Sequence, residues 1–327
     1  MSAGTGRLGR CLCLQPIHPA AVALLEAGGL TVSAGPAEGV DPAGLVALVS
    51  RNAPVTAALL DRFPALQIVA KHGAGLDAID VAAATARGIW VVSTPGANAR
   101  SVAEQALALM LAVAKRIVSA DRAVRAGDFA YKFRVDFREL AGLQLGIVGL
   151  GASGSLLARM AGDGLGMRIA ACSPSAPPER FAACRATPMD LPRLLAESDV
   201  VSLHRPGQPG MAPLIDAQAL AGIKLGAILI NTARGTLVDE AALGAALREG
   251  RLGGAGLDVF DPEPPSPDHP LAGCETVVLS PHVAGSTTAA LERMGRAVAE
   301  QILDVLAGRS PAHPANRVVP GERTCLL

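Results

Sequence analysis

The sequence predicts an α/β protein with doubly wound parallel sheets in two domains, and three observations carry that expectation. At 327 residues the chain is long enough for two domains, each with a core of its own. Short apolar runs recur along it with helix-length segments between them, the pattern of parallel strands covered by helices. The third observation is a single stretch. The apolar run 145–148 enters Gly149-Leu150-Gly151-Ala152-Ser153-Gly154 and leaves through a helix-like segment. Gly149 allows a tight turn, Gly151 lets a pyrophosphate approach bare backbone, and Gly154 lets helix pack close on strand. The helix N-terminus adds free amides and a partial positive charge, so the stretch reads as a dinucleotide site.

Taken in order, residues 10–15 predict a first strand, and residues 19–27 a helix stopped by Gly28-Gly29. Apolar runs at 30–33, 45–49, 66–70 and 89–92 continue the alternation over about the first hundred residues. Between two of them lies Lys71-His72-Gly73-Ala74-Gly75. Glycines at a strand end can present backbone amides to an anion such as a carboxylate, although a plain strand-to-helix turn reads the same way. Lys71 and His72 tilt the reading toward an anion site. Residues 98–120 predict one long helix, whose apolar stretch 106–113 suits burial between domains or at a subunit interface. Six further runs, at 145–148, 168–172, 200–203, 227–230, 255–259 and 276–279, match a doubly wound nucleotide-binding sheet.

Ligands of such sheets bind outside the carboxyl ends of the strands. There the chain carries Asn231-Thr232-Ala233-Arg234-Gly235, then Asp258-Val259-Phe260-Asp261-Pro262-Glu263, then Ser280-Pro281-His282. Composition narrows the partners. Lys+Arg and Asp+Glu are equal at 29 each and aromatics are 2%, so neither charge nor stacking favours nucleic acid. No apolar run approaches the ~18 residues of a membrane span, and the opening MSAGTGRLGR lacks a signal-like apolar segment, so a cytoplasmic protein is expected. Cysteines at 11, 13, 172, 184, 274 and 325 form no CxxC pair and no histidine stands at metal spacing, so no metal is expected. Cys11 and Cys13 would share one strand face as small buried hydrophobes. Cys325 stands one place short of a prenylation signal.

The segments KHGAGLDAID, NARSVAE, LGIVGLGASG, DVVSLHRP, LINTARGTLVDE, GAGLDVFDPEPP and SPHVAGST, spread over nearly the full length, resemble the D-isomer-specific 2-hydroxyacid dehydrogenases. That family includes D-lactate, glyoxylate/hydroxypyruvate and 3-phosphoglycerate dehydrogenases. The resemblance implies a Rossmann-type nucleotide domain, 98–287, inserted into a flavodoxin-like substrate domain of 1–97 plus 288–327, and a homodimer through the nucleotide domains. It implies that Arg234 pairs with the substrate carboxylate, a task for an always-charged forked guanidinium. His282 would exchange the proton with the carbonyl oxygen, and Glu263 would place a negative charge beside it and hold it. Lys71, Gly73, Ala74 and Gly75 would bind the substrate. Gly149, Gly151, Ala152, Ser153 and Gly154 would hold the cofactor pyrophosphate, with Ser173, His204, Thr232 and Asp258 at its other parts and Asn98 and Glu104 further out. Singly, such residues are more often surface charge or loop polarity; each here sits in its own family motif.

Two departures stand out. Where NAD-dependent members carry Asp before Pro, this chain has Ser173-Pro174-Ser175, which removes the carboxylate that hydrogen-bonds a ribose 2′-hydroxyl and repels a 2′-phosphate. With Arg180 nearby in sequence, this shifts the expected cofactor from NAD toward NADP, with dual use allowed. Ser153 replaces a branched apolar residue. The expected reaction is interconversion of a small 2-oxo acid, hydroxypyruvate- or glyoxylate-like, with a D-2-hydroxy acid. The alternatives are a 3-phosphoglycerate dehydrogenase-type activity, suggested by Lys71 but offset by the lack of room for a further regulatory domain, and a nucleotide-sensing, corepressor-like binding protein. Formate dehydrogenases pair the histidine with glutamine, which Glu263 is not.

Overall fold

A computed structural model describes residues 8–207 and 210–318. Residues 1–7 and the Cys325 tail lie outside the described residues. Every pairing between its strands is parallel. One sheet contains β1 (Gly9–Cys13), β2 (Leu30–Ala34), β3 (Leu45–Ser50), β4 (Ile68–Lys71) and β5 (Trp90–Val92), in the flavodoxin-like order β2-β1-β3-β4-β5. The other contains β6 (Gln144–Val148), β7 (Arg168–Cys172), β8 (Ala186–Pro188), β9 (Val200–Leu203), β10 (Ile228–Asn231), β11 (Gly254–Leu257) and β12 (Val277–Leu279). Its order, β12-β11-β10-β9-β6-β7-β8, reverses direction between β6 and β9, which is where such a sheet binds its ligand.

The chain divides into two compact units: the described residues up to Asn98 with those from Gly285 onward, and Ala99–Ala284. In the first unit β3 is buried on both faces, as expected for a parallel strand covered on two sides. Cys11 and Cys13 share a core with Leu25 and with Val298, Ala299 and Ile302 of the helix Thr288–Leu306. In the second unit the helix Ala99–Ala114 lies against the sheet through Ala106, Leu109, Met110 and Val113. Two glycines of β11 admit it: a Cβ on Gly254 would stand 2.6 Å from Val113 Cγ1, and one on Gly256 2.9 Å from Leu109 Cβ.

Two sequence expectations are corrected here. The helix expected over 98–120 is two helices, Ala99–Ala114 and Ile117–Arg125, broken where Arg116 adopts φ 52. Of its apolar stretch, Ala106, Leu109, Met110 and Val113 are core of the Ala99–Ala284 unit, while Ala108 on the other face is exposed. A seventh strand, β8, joins the six expected; it is a three-residue edge with only Ala186 buried and Pro188 at its end, so it has no apolar run to announce it. Among the described residues no helix is long and apolar enough to cross a membrane, and no cluster of His, Cys, Asp and Glu could hold a metal.

Candidate active site

His282 follows β12 and stands at φ 52, a left-handed conformation that costs a non-glycine residue about 1–2 kcal/mol. Asp258, at the end of β11, holds it there. The His282 amide donates to Asp258 O at 2.8 Å. The Asp258 carboxylate accepts from Ser280 Oγ at 2.5 Å, Val283 N at 3.0 Å and Ala284 N at 2.7 Å. The ring is fixed separately: Nδ1–H donates to Glu263 Oε2 at 2.8 Å, while Glu263 Oε1 accepts from Phe260 N at 3.1 Å. This leaves Nε2 as the ring nitrogen for proton exchange. The His282 and Glu263 side chains are 37% and 36% exposed, open enough to meet a ligand.

Arg234 is carried by the neighbouring strand end. Asn231 closes its loop, donating through Nδ2 to Arg234 O at 2.8 Å and accepting from Ala233 N at 3.0 Å. Gly235 then docks that loop on the Glu263 loop: a Cβ there would lie 2.0 Å from the Phe260 carbonyl carbon, so only glycine permits the approach. Gly207 flanks the Arg234 stem, since a Cβ on it would stand 3.1 Å from Arg234 Cβ. Arg234, Glu263 and His282 thus rise from the adjacent ends of β10, β11 and β12. Beside them Thr232 Oγ1 is buried without a hydrogen-bond partner among the described residues. An orphaned hydroxyl in such a place is suited to bond a ligand atom.

The glycine turn behaves as its spacing requires. A Cβ on Gly149, at φ 99, would meet His204 O at 2.6 Å; one on Gly154 would meet Gly149 O at 2.2 Å. At Gly151 a Cβ would meet nothing within 4 Å, and the helix Ala152–Arg159 that Gly151 opens has no side-chain cap. Open space before uncapped amides fits a pyrophosphate. Together with Thr232 Oγ1, these residues fit a dinucleotide.

Other expected contacts have different partners. Both ring nitrogens of His204 are engaged, Nδ1 with Ser153 Oγ at 3.1 Å and Nε2 with Ser202 Oγ at 2.9 Å. Burial pushes its pKa down to about 4, so it is a neutral strut between β9 and the glycine turn. Ser153, the residue that breaks the expected apolar pattern, supplies the other end of that strut. Asp258 is fully buried with its carboxylate turned to the His282 loop, which it scaffolds. Ser173 begins a turn, its carbonyl accepting from Ala176 N at 3.0 Å.

In the first unit, Gly73 N donates to Thr94 Oγ1 at 3.1 Å, so the amide expected to meet a substrate carboxylate is already used. Ala74 is exposed and Gly75 half-buried. Lys71 is buried and its Nζ donates to Arg51 O, with its stem 3.2 Å from a Cβ on Gly73. Glu104, exposed, pairs with Arg100 at 2.8 Å.

Sequence reasoning missed the supports of the site. Gln105 Nε2 donates to Ser280 Oγ at 3.1 Å and Ser101 Oγ to Ala284 O at 2.5 Å, so the helix Ala99–Ala114 braces the His282 loop. Glu240 accepts from Asp261 N at 3.3 Å and pairs with His269 Nε2 at 2.7 Å beneath the Glu263 loop. Burial holds the Glu240 carboxyl above its usual range, although His269 and the Asp261 amide act the other way.

A family model, D-isomer specific 2-hydroxyacid dehydrogenase, NAD binding domain, matches residues 107–284, more than half of the chain. The chain is 45% identical over 264 residues to a D-3-phosphoglycerate dehydrogenase of Mycobacterium leprae, matching 80% of this chain and 49% of that protein. It therefore spans about half the length of the D-3-phosphoglycerate dehydrogenases it matches. It is 40% identical over 269 residues to a glyoxylate reductase of Korarchaeum cryptofilum, matching 81% of each. Its fold is similar to the crystal structure of the TT0316 protein from Thermus thermophilus, with TM-score 0.85 and 37% identity over 94% of this chain and 100% of that one. Family model, relatives of matching length and strand order agree, and the chain belongs to the D-isomer specific 2-hydroxyacid dehydrogenase family.

Proposed function

We propose that this protein interconverts a small 2-oxo acid and a D-2-hydroxy acid with a nicotinamide dinucleotide. The observation that carries the proposal is the His282–Glu263 pair at 2.8 Å, on a strand end next to the one that bears Arg234. When bound, the nicotinamide supplies or accepts the hydride. Arg234 binds the substrate carboxylate in its fork. His282 donates a proton from Nε2 to the carbonyl oxygen in reduction and takes it back in oxidation, while Glu263 balances the imidazolium. The glycine turn and Thr232 hold the cofactor, and the amides of Ala74 and Gly75 are left for the substrate carboxylate. The unit containing β6–β12 is then the dinucleotide domain and the discontinuous unit the substrate domain.

Glyoxylate or hydroxypyruvate is the preferred substrate. Lys71 already donates to a backbone carbonyl, which weighs against its being reserved for a distal phosphate. The 45% identity with a D-3-phosphoglycerate dehydrogenase keeps phosphohydroxypyruvate as the second reading. The absence of a carboxylate in Ser173-Pro174-Ser175 favours NADPH. A homodimer is proposed through residues 117–137, where Ile117, Val124, Phe129, Phe133 and Phe137 are 45–81% exposed on a segment of one unit.

The test is NADPH and NADH consumption with glyoxylate, hydroxypyruvate, pyruvate, phenylpyruvate, 2-oxoglutarate and 3-phosphohydroxypyruvate, repeated with His282→Ala. Turnover of one small acid that falls at least ~10³-fold in His282→Ala, with cofactor affinity kept, is expected. Cofactor binding with no turnover of any acid would favour a nucleotide-sensing protein instead.

A further inference from the structure

We infer that Glu240 and His269 are a positioning pair: they tie the loop that carries Glu263 to the helix that follows Arg234, and so fix the spacing between the proton-transferring histidine and the carboxylate-binding arginine. The inference rests on the proposed reaction and extends its machinery to two residues that act through others.

The Glu263 carboxylate does not anchor its own loop. Its Oε1 accepts from Phe260 N, inside the loop, and its Oε2 accepts from the ring that it orients. Among the described residues, Asp261 N is the one backbone group of 260–263 whose hydrogen bond leaves the loop, and it donates to Glu240 Oε1 at 3.3 Å. Glu240 Oε2 accepts from His269 Nε2–H at 2.7 Å. His269 Nδ1 accepts in turn from Leu271 N at 3.4 Å, which leaves the ring proton on Nε2. One carboxylate therefore grips the chain on both sides of Glu263, at Asp261 and at His269.

The grip is built into the start of a helix. Glu240 opens the helix Glu240–Arg248, behind the cap Asp239, whose Oδ1 accepts from Ala242 N at 2.9 Å. A carboxylate in a first turn faces the positive end of the helix dipole, so an ionised side chain suits the place. The same helix meets the loop twice more: a Cβ on Gly244 would stand 3.1 Å from Pro270 Cβ, and Arg248 Nη1 donates to Pro270 O at 3.1 Å. The pair is nearly dry. The Glu240 and His269 side chains are 9% and 10% exposed, and Phe260 packs edge-on against the His269 ring with centroids 5.7 Å apart. Arg234 lies just upstream, joined to this helix by the short turn Gly235–Leu237. Arg234 and Glu263 are thus referred to one frame, the first turn of the helix. Proton transfer needs that frame, because a general acid works only within hydrogen-bond reach and a misplacement of ~1 Å costs up to ~10²-fold in rate.

The experiment is steady-state kinetics of the whole protein, as wild type, Glu240→Gln, His269→Leu and His269→Gln, with whichever of glyoxylate and hydroxypyruvate the wild type reduces faster. Glu240→Gln keeps the volume but turns an NH2 group toward one of two N–H donors, and His269→Leu removes one of those donors. Both should lower kcat at least ~10-fold and raise its solvent deuterium isotope effect, with KM for the acid and the nucleotide dissociation constant within about threefold of wild type. His269→Gln restores an N–H donor for Glu240 and an acceptor for Leu271 N, so kcat should return to within about threefold. Amide exchange read by mass spectrometry should quicken over residues 258–264 in the first two variants and stay slow in the third. The inference is overturned if Glu240→Gln keeps the wild-type kcat, if the loss appears in KM instead, if exchange over 258–264 is unchanged, or if His269→Gln is no better than His269→Leu. In those cases the wild type still reduces the acid and the proposed reaction stands. Should His269→Leu fail to fold, the isosteric Glu240→Gln decides alone. A wild type silent toward both acids would remove the reaction and the role of the pair together.

Discussion

His282 is held in a conformation that it would not choose, and most of the restraint comes from one buried carboxylate. Asp258 accepts three hydrogen bonds from residues 280–284, and every one is donated to it. Asp258→Asn would turn an NH2 group toward one of those donors, so the His282 loop should relax while the fold stands. We expect kcat to fall about 10²-fold with the cofactor dissociation constant within about threefold; steady-state kinetics beside calorimetry would show it, and an unchanged kcat would end the scaffold argument. Glu263→Gln keeps an acceptor for Phe260 N but loses the charge facing imidazolium. Turnover should drop on the order of 10²-fold at nearly constant Tm. Arg234, Glu263 and His282 were legible because each stands at a strand end within its own motif. The work of Asp258 was not, because a carboxylate near a site reads as a ligand contact whether it faces the ligand or the loop. Ser101 and Gln105 could not be read at all, since they lie 183 and 175 residues from the atoms they brace.

Among elements, the glycine turn separates two kinds of glycine that look alike in sequence. Gly151 opens on empty space, whereas a Cβ on Gly154 would lie 2.2 Å from the Gly149 carbonyl oxygen. Gly151→Val should therefore leave the melting temperature within a few degrees while weakening dinucleotide binding at least ~100-fold. Gly154→Ala should cost several kcal/mol of stability by forcing the helix off its strand. Equal effects of the two substitutions on stability would show that the spacing argument assigns their roles wrongly. Eleven of the twelve strands were marked by apolar runs, as expected where both faces of a sheet are covered. The break at Arg116 was hidden because Lys115-Arg116 is ordinary helix sequence. Only the left-handed backbone at Arg116 redirects the chain, and residues on either side remain amphipathic.

For the whole molecule, acid should be the weak side. His72 is buried, with Nε2 3.2 Å from Leu291 O and Nδ1 without a partner among the described residues. Burial first, then the charges of Arg51 and Lys71, push it down to about 4, although its backbone hydrogen bonds act the other way. The unfolded chain binds that proton near pH 6.5, so the stabilising effect is complete above 6.5 and is lost as pH falls toward 4. The loss is on the order of 3 kcal/mol. Denaturant midpoints measured from pH 7 to pH 4.5 should fall, and fall less in His72→Leu; parallel curves would exclude His72 as the cause. In the proposed dimer, Phe133→Glu, at a position 81% exposed, should shift the species seen by sedimentation toward the monomer without lowering Tm in the monomer itself. The division of the chain has a consequence in time. The Ala99–Ala284 unit is continuous, whereas the core around β1, β3 and β4 is closed by Val298, Ala299 and Ile302. On the ribosome the inserted unit can therefore finish folding before the helix Thr288–Leu306 is made, and β1, β3 and β4 must wait, half-covered, for that helix to emerge. Chaperone dependence and early aggregation should accordingly trace to the first hundred residues.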